Sequence, residues 1–399
     1  MMLSCNTFDK IKIQCVIMDD VKRGNRTNTK KILLALLNET KKSLYGEGCH
    51  PFTIKQLNYQ IYSNHNPNRY VQFQIPKKKK GEFRTITAPN SGLKSIQRCI
   101  NHILQSIFVV HPSALGFVAG KSIVDNAKVH IGQKYVYNID LKDFFPSIKS
   151  GRVLACLKLP PFSLNDEAAS LITDLCCHEG VLPQGAPTSP ILTNIVCRRL
   201  DWRLSKLAKR YDLRYSRYAD DITFSGMKNL FYEDGDFVKE LHHFIEKEGF
   251  SINESKTRVN SCFQRQEVTG LTINEKPNVT QKYVKQIRTM INNWEKSGYE
   301  EAQSVFLKHY HPTKNVAGKH YLINVLTGKL NYLMMVKGEK DSTYVKLKDR
   351  LEKLIKKEDT LSDIIEIPMP RDNHSFEDST SPVSDDILKE FEELDKLLE

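Results

Sequence analysis

Three aspartates carry the clearest chemistry in this sequence. Asp220 and Asp221 are adjacent in "SRYADDITFS", and Asp140 ends the earlier segment "KYVYNID". Carboxylates that converge from two strands can hold a pair of divalent cations, which in-line phosphoryl transfer uses to activate the attacking oxygen and to stabilise the leaving group. Hard oxygen ligands favour Mg²⁺ over zinc. The alternative is that the adjacent pair only fills a turn, because Asp side chains bond back to their own backbone there.

Hydrophobic periodicity predicts the elements that would position these aspartates. The runs on either side of the Asp pair are rich in aromatic and β-branched residues, which predicts a hairpin with the pair at its turn. "KYVYNIDL" predicts a strand that ends at Asp140. Helices are predicted at "GRVLACLKL", "NDEAASLITDLCC" and "DFVKELHHFIEKEGF", and one long amphipathic helix at "ILTNIVCRRLDWRLSKLAKR". With short strands near "TRVNS" and "EVTGLTI", the pattern indicates a mixed sheet flanked by helices, an α+β fold.

A second hairpin is predicted upstream, in "VQFQIPKKKKGEFRTITAPN". Apolar and polar residues alternate on both sides of the lysines, and the basic tip contains Gly81. Helical patterns precede and follow it at "ILLALLNETKKSL" and "LKSIQRCINHILQSIF". From about Gln281 onward the chain is helical in pattern, and Lys282, Lys285 and Arg288 give the first of these helices a basic face. Such a face could lie along a nucleic-acid backbone or be ordinary solvated surface.

Charge is distributed unevenly along the chain. The formal net charge is +12, but the segment from Lys357 to Glu399 has 14 acidic and 4 basic residues, a net of −10, which leaves +22 for residues 1–356. A body this basic predicts a polyanionic partner such as nucleic acid. The acidic segment predicts a flexible tail that ends in a short amphipathic helix.

The cysteines and the apolar runs restrict the class of protein. The 9 cysteines are scattered and never spaced as C-x-x-C, so the sequence predicts neither a disulfide framework nor a structural zinc site. Cys176 and Cys177 are predicted to be buried helix residues rather than metal ligands. No run is long enough to cross a bilayer and the start does not resemble a signal peptide, so we expect a cytoplasmic protein without a membrane partner.

Several long motifs in a fixed order resemble the palm of a reverse transcriptase. "NIDLKDFFPSI", "LPQGAPTSPILTN" and "YADD" follow one another within a match that runs from about Gln74 to Gly270. "NAKVH" at Asn126 to His130 and "VTG" at Val268 to Gly270 are similar to two hallmarks of bacterial retron reverse transcriptases. The resemblance implies a right-hand polymerase fold of fingers and palm, with a helical thumb and an acidic C-terminal tail.

The implied domain boundaries follow from this match. We expect an N-terminal helical extension at 1–66, fingers at 67–135, and a palm at 136–275 that includes part of the fingers between 149 and 181. A helical thumb would occupy 276–357, and the acidic flexible tail with its short amphipathic helix would occupy 358–399.

The resemblance also implies site residues. The catalytic and metal-binding set, for two Mg²⁺ ions, would be Asp140, Asp220 and Asp221, with Asp220 as the main bridging ligand. The nucleotide-binding set would be Lys80, Arg84, Phe145, Gln184, Gly185 and Lys256. Within it, Phe145 would exclude a ribose 2′-OH while Phe144 is the core aromatic, and Lys256 would lie near the departing pyrophosphate as a general acid. Which of Lys77 to Lys80 grips the triphosphate stays open.

In retron enzymes the two hallmark motifs are associated with recognition of the cognate structured RNA, which here implies an RNA-binding set of Asn126, His130, Val268, Thr269 and Gly270. The implied reaction copies part of that RNA into single-stranded DNA that stays joined to it (msDNA), primed from a 2′-OH. The implied partners are the RNA and its DNA product, deoxynucleotides, an effector protein of an anti-phage system, and a host ribonuclease H.

Two other interpretations stay open from the sequence. The first is another bacterial reverse transcriptase, of the group II intron, diversity-generating or abortive-infection type. The second is a non-catalytic RNA-binding scaffold, which would tolerate loss of the acid triad and Gln184. The tail could repel competing RNA, bind the effector, or keep the basic body soluble.

Overall fold

The computed structural model describes residues 26–62, 68–77, 81–309 and 321–358. The predicted acidic tail beyond residue 358 and the lysines at 78–80 lie outside these ranges. The chain divides into two compact units. The first is formed from the described residues within Met1–Lys121, Asn138–Ile222 and Leu230–Arg258, and the second from those within Ser122–Tyr137, Thr223–Asn229 and Val259–Glu399. None of the described helices is long and apolar enough to cross a membrane.

Helices and strands alternate along the described chain. The first elements are α1 (Arg26–Tyr45), α2 (Ile54–Tyr62), β1 (Tyr70–Pro76), β2 (Phe83–Pro89), α3 (Ser91–Ile107), α4 (Ile123–Val129) and β3 (Tyr135–Asp140). Next come α5 (Phe144–Ser147), α6 (Ser150–Lys158), α7 (Asp166–Cys176), α8 (Ser189–Val196), α9 (Arg198–Arg210), β4 (Arg214–Tyr218), β5 (Asp221–Gly226) and α10 (Asp236–Lys247). The last are β6 (Arg258–Ser261), β7 (Glu267–Val268), β8 (Leu271–Thr272), α11 (Gln281–His309), α12 (Leu322–Lys337) and α13 (Ser342–Lys357).

The main sheet has four strands in the order β4-β5-β3-β6. The predicted strand therefore ends at Asp140, and β5, which begins at Asp221, is its neighbour in the sheet. Strands β4 and β5 form the predicted hairpin around the Asp pair. This strand order is what brings the sequence-distant aspartates to the same part of the sheet.

In the first unit, helix α3 has a clear start signal and one apolar face that packs against neighbouring helices. Asn90 caps it by accepting a hydrogen bond from the Leu93 amide at 2.9 Å, directly after Pro89 has ended β2. Its buried residues, at helical spacing, include Leu93, Ile96 and Ile100. They pack against α1 and α7. Cys176, the last residue of α7, and the following Cys177 are both buried, as the sequence predicted.

One predicted helix is divided in the structure. The segment from Ile191 to Arg210 was expected to be a single helix, but α8 ends at Val196 and α9 begins at Arg198. At the junction Cys197 has a ψ of 0°, away from the usual helical value near −42°, so the regular hydrogen-bond ladder is interrupted there. The apolar pattern continues through the junction, which is why periodicity did not reveal it.

In the second unit, α11, α12 and α13 pack together around one apolar cluster. The cluster includes Ile287, Leu326 and Leu347, one from each helix. Helix α11 breaks at Gly298, whose φ of 77° lies in the left-handed region that glycine adopts without strain. These are the helices predicted from the sequence after Gln281.

Candidate active site

The Asp pair sits in a tight turn with a left-handed residue at its start. Ala219, between the end of β4 and Asp220, has a φ of 59°, an uncommon conformation for a residue with a Cβ. A neighbouring segment runs close beside the turn, because a Cβ added to Gly116 would lie 2.3 Å from the Ala219 amide nitrogen. Backbone packs directly on backbone here, and only glycine permits that approach.

A buried ion pair lies behind this turn. The Arg217 guanidinium donates to both carboxylate oxygens of Asp201, at 2.7 and 2.6 Å, and both residues are fully buried. It also donates to the side-chain oxygen of Asn194 at 3.0 Å and to the carbonyl of Ala219 at 3.1 Å. Tyr215 donates its hydroxyl to Asp201 at 2.7 Å. This network ties the carbonyl that precedes Asp220 to helices α8 and α9.

Asp140 is almost buried at the end of β3 and is bound by two side chains from one segment. Lys256 Nζ lies 2.8 and 2.9 Å from its two carboxylate oxygens. The Asn253 side-chain amide donates to the same carboxylate at 3.0 Å, and its backbone N–H donates to the Asp140 carbonyl at 2.8 Å. The predicted palm lysine therefore contacts Asp140, the first of the three predicted metal-binding acids.

The three acids are close enough to influence one another. The Leu141 N–H donates to the Asp220 carbonyl at 3.0 Å, which links the end of β3 to the turn. Partial burial raises the pKa of Asp220, and the Asp140 charge raises it further. The pKa of Asp221 is raised to about 6, first by desolvation and then by the charges of Asp220 and Asp140. The ionised forms of Asp220 and Asp221 are thus disfavoured by burial and by neighbouring negative charge.

The carboxylates do not form a ready-made cation cage. Among the described residues, no group of three His, Cys, Asp or Glu side chains has the arrangement of a metal site. At Asp140 the Lys256 ammonium contacts both carboxylate oxygens. The donor set is nevertheless made of hard oxygens, which fit Mg²⁺, and mutual repulsion among the acids is relieved by a divalent cation.

The predicted nucleotide loop contacts the β1–β2 hairpin. The Gln184 carbonyl accepts a hydrogen bond from the Thr87 N–H at 2.8 Å. Gly185 has a φ of 136°, and a Cβ there would lie 2.9 Å from both the Ile86 side chain and the Thr87 carbonyl. Glycine is therefore required at this position by its backbone conformation and by its contact with β2.

Arg84 of the basic hairpin influences the Asp pair electrostatically. This exposed residue of β2 lowers the pKa of Asp220 by its positive charge, so its guanidinium lies within electrostatic reach of the turn. Lys77 forms an ion pair with Glu82 at 3.8 Å. Lys80, the predicted triphosphate lysine, lies outside the described residues.

The two adjacent phenylalanines differ as the sequence suggested. Phe144 is buried and packs against Phe250 with ring centroids 5.6 Å apart. Phe145 is half-buried and contacts Phe117 at 6.2 Å, so part of its ring remains accessible. Asp143 occupies the N-cap position of α5 but makes no capping hydrogen bond with its side chain.

The two hallmark motifs come together in the second unit. Thr269 and Gly270 form the turn between β7 and β8 with φ values of 47° and 83°, as a type I′ turn requires. The Thr269 hydroxyl donates to the Ile123 carbonyl at 3.3 Å, which joins this turn to α4. Val268 is fully buried in the apolar cluster of this unit.

Asn126 and His130, which were expected to recognise RNA, are both fully buried. His130 Nδ1 lies 2.7 Å from the Ser225 hydroxyl, itself fully buried. Neither side chain is at the surface where RNA could touch it. Their role in RNA recognition stays a prediction, and because both side chains are buried we expect that role to be indirect.

Several residues of the site were not found from the sequence: Arg217, Asp201, Asn194, Asn253 and Gly116. Asp201 offered a signal, because it is an acid on the buried stripe of the amphipathic helix α9. Asn253 offered another, since it lies three residues before Lys256 in the same turn. Arg217 and Gly116 carried no signal, since their partners are distant in sequence.

Comparison with known proteins agrees with this arrangement. Residues 75–275 match the family model "Reverse transcriptase (RNA-dependent DNA polymerase)". The chain is similar to the retron Mx65 and Mx162 reverse transcriptases of Myxococcus xanthus. It is 38% identical to Mx65 over 62% of this chain and 62% of that protein. It is 39% identical to Mx162 over 57% of this chain and 53% of that protein.

It is also similar to the retron Ec86 reverse transcriptase of Escherichia coli, at 36% identity over 56% of this chain and 70% of that protein. The chain thus spans less than two thirds of the Myxococcus relatives and more than two thirds of Ec86. The family match covers the acid triad, the Gln184 loop and Lys256. On this evidence the chain belongs to the reverse transcriptase family, among its retron members.

Proposed function

We propose that this chain is an RNA-directed DNA polymerase that copies part of a cognate structured RNA into single-stranded DNA. One observation carries the proposal: Asp140, Asp220 and Asp221 lie at adjoining strand ends, with the pKa values of the latter two raised by burial and by mutual repulsion. A polymerase needs such concentrated negative charge to hold cations against a triphosphate. Membership of the retron reverse transcriptases supports the same reaction.

Mg²⁺ is the proposed cofactor, as two ions. Asp140, Asp220 and Asp221 would hold them, with Asp220 as the main ligand and Asp221 in a supporting role. When bound, the ions supply activation of the primer hydroxyl and stabilisation of the leaving pyrophosphate. For Asp140 to take part, Lys256 must leave its carboxylate, and Asn253 keeps the carboxylate oriented meanwhile.

Lys256 has a second role in this scheme. Its side chain is 58% exposed, so it can swing from Asp140 toward an entering triphosphate without unpacking the core. There its ammonium would stabilise the departing pyrophosphate and donate a proton to it as a general acid.

The remaining nucleotide contacts are assigned by position. Arg84, and Lys80 from the hairpin tip, would bind the triphosphate, and the Gln184–Gly185 loop would contact the nucleotide and template. The half-buried Phe145 would close against the sugar and exclude a ribose 2′-OH by shape.

RNA recognition is assigned to the second unit. The Thr269–Gly270 turn would contact the cognate RNA at its surface. The buried residues of the two motifs would act indirectly, by holding that turn and α4 in position. They are Val268, Asn126 and His130.

The family relationship supports further proposals about the biology. Priming would start from a 2′-OH within the RNA, which leaves the DNA product joined to its template as msDNA. A host ribonuclease H would degrade the copied RNA, and an effector protein would link the complex to anti-phage defence. We place the enzyme in the cytoplasm, where these partners are available.

The test is a reaction with purified protein, its co-purified RNA, Mg²⁺ and deoxynucleotides. We expect a DNA covalently joined to RNA, and no product from the Asp220→Ala variant. Equal extension by that variant would refute the mechanism. RNA binding without any synthesis by the unmodified protein would favour a scaffold instead.

A further inference from the structure

The first unit contains an apolar cavity that the proposed active site does not use. It lies between helices α1, α3 and α7, which pack against one another, and its volume is about 70 Å³. The residues that line it are almost all apolar, and they include Leu33, Leu36, Ile100, Leu104, Phe162 and Ile172. The cavity is therefore a gap in the common core of three helices.

The size and chemistry of this cavity define the group that fills it. Protein interiors are close-packed, and side chains that face a gap lose dispersion contacts. The apolar wall offers no hydrogen bonds that would hold water there. An engineered apolar cavity of about 150 Å³ binds benzene, so about half that volume suits a single branched aliphatic side chain.

The rim of the cavity is polar and carries acidic residues. Thr29, which lines the cavity, donates its hydroxyl to the Glu167 carboxylate at 3.1 Å. Asp166 is the neighbouring acid in the first turn of α7, and its side chain stays 80% exposed although it pairs with Lys158. An occupant that carries basic residues beside its apolar ones therefore fits this rim best.

The chain itself supplies such a segment shortly before α1. In "KIKIQCVI", residues 10–17, every second residue is an isoleucine or the cysteine Cys15, and two of the residues between them are lysines. This alternation gives an extended segment one apolar side. The segment precedes the described part of the chain, which begins with α1. At roughly 3.3 Å per extended residue, the chain from Ile13 to Thr29 can span about 50 Å, so it can reach the cavity, and the covalent link keeps its effective concentration high.

We propose that residues 10–17 dock on this cavity and that the Ile13 side chain fills it. Ile13 is the central residue of the apolar side, so Ile11 and Cys15 then cover the rim. The long side chain of Lys12 reaches back to the acids of the rim, while its apolar stem covers the surface beside the cavity. The docked segment connects α1 to α3 and α7. The proposal is independent of the polymerase reaction.

Cys15 allows the docking to be tested by disulfide trapping in the full chain. Ala168 lines the cavity and is half-buried, so Ala168→Cys places a thiol beside the docked segment. Under mild oxidation, we expect mass spectrometry to find position 168 joined to Cys15 at least about fivefold more often than to Cys5, because a disulfide requires a specific geometry.

Ala35→Cys is the matched control for this cross-link. Ala35 is an exposed alanine of α1 that does not line the cavity, and it is closer to Cys15 in the sequence than Ala168 is. We expect it to give little cross-link to Cys15. Equal joining of position 168 to Cys5 and Cys15, no joining at all, or an equal yield from Ala35→Cys would overturn the proposal.

Ile13→Ser tests the occupancy of the cavity without a cross-link. Xenon binds dry apolar cavities, so it should bind this variant at least about tenfold more tightly than the unmodified protein, in which Ile13 fills the site. Val16→Ser, from the other side of the alternation, should behave like the unmodified protein. NMR of dissolved xenon measures the binding. Equal binding by the unmodified protein and Ile13→Ser would show that the cavity is open to a free apolar molecule, which would also overturn the proposal.

Discussion

Lys256 places its ammonium between the two carboxylate oxygens of Asp140, 2.8 and 2.9 Å away. The lysine would therefore compete with a cation for Asp140, a proposed metal ligand, while also being the proposed general acid. Removing it should act on metal affinity and on turnover in opposite directions.

We predict that Lys256→Met lowers the Mg²⁺ concentration needed for half-maximal primer extension, because Asp140 loses its competing cation. The maximal rate should fall by about 10²-fold, at the lower end of the range for loss of a general acid. A Mg²⁺ titration of extension rate measures both. An unchanged or raised Mg²⁺ requirement would contradict the competition, and Lys142→Met, an exposed lysine next to Leu141, is the control.

The three acids should differ in how strongly their substitution lowers the extension rate. Asp140→Asn and Asp220→Asn should each lower the extension rate by roughly 10³-fold or more, since several kcal/mol of charge stabilisation is lost. Asp221→Asn should retain more activity, as the supporting ligand. Asp143→Asn should be close to the unmodified protein. Single-turnover rates at saturating Mg²⁺ would rank them, and an Asp221 variant as inactive as Asp220→Asn would reject the assigned order.

The buried pair behind the turn should be costly to break. Arg217→Met leaves Asp201 charged and buried, and should lower the free energy of unfolding by about 3–5 kcal/mol. Arg350→Met removes the exposed pair with Glu295 and should cost at most about 1 kcal/mol. Urea denaturation compares the two. Similar losses of unfolding free energy in the two variants would show that burial does not make the Arg217 pair more costly to break.

Gly116→Ala should damage the site through the backbone. The new Cβ would collide with the Ala219 amide, so we expect about 1–3 kcal/mol of destabilisation and slower extension as the turn shifts. Gly151→Ala in α6 has open space around the new methyl group and should be neutral or slightly stabilising. Full activity of Gly116→Ala would mean that the turn tolerates displacement.

His130 should affect RNA binding only indirectly, by stabilising the folded structure around it. His130→Ala removes the partner of a buried hydroxyl and should cost about 1–3 kcal/mol, with a parallel loss of RNA affinity. Ser225→Ala should reproduce part of both losses. Lys128→Ala, on the exposed side of α4, should leave stability unchanged. RNA affinity that falls while His130→Ala stays fully stable would indicate a direct contact.

The main features that the sequence predicted are those whose signal lies within a short stretch of the chain. Aromatic and β-branched residues around "YADD" and alternation around the basic tip predicted both hairpins, and the motif order predicted which acids belong together. The Arg217–Asp201 pair was missed because both faces of β4 are buried, so no alternation marks Arg217 as unusual. The burial of Asn126 and His130 was not predicted, since spacing on a short helix does not reveal which side is covered.

Domain boundaries drawn from charge and from contacts differ at one end of the chain. Composition placed the start of the acidic tail at residue 358. In the structure Glu358 accepts hydrogen bonds from Trp294 Nε1 and from the Tyr299 N–H, both at 3.1 Å, on either side of the break at Gly298. This first acid of the tail therefore links the two halves of the broken helix α11 by hydrogen bonds. A truncation meant to remove only the tail must retain Glu358, since a cut two residues earlier would open the helical unit and imitate the loss of a tail function.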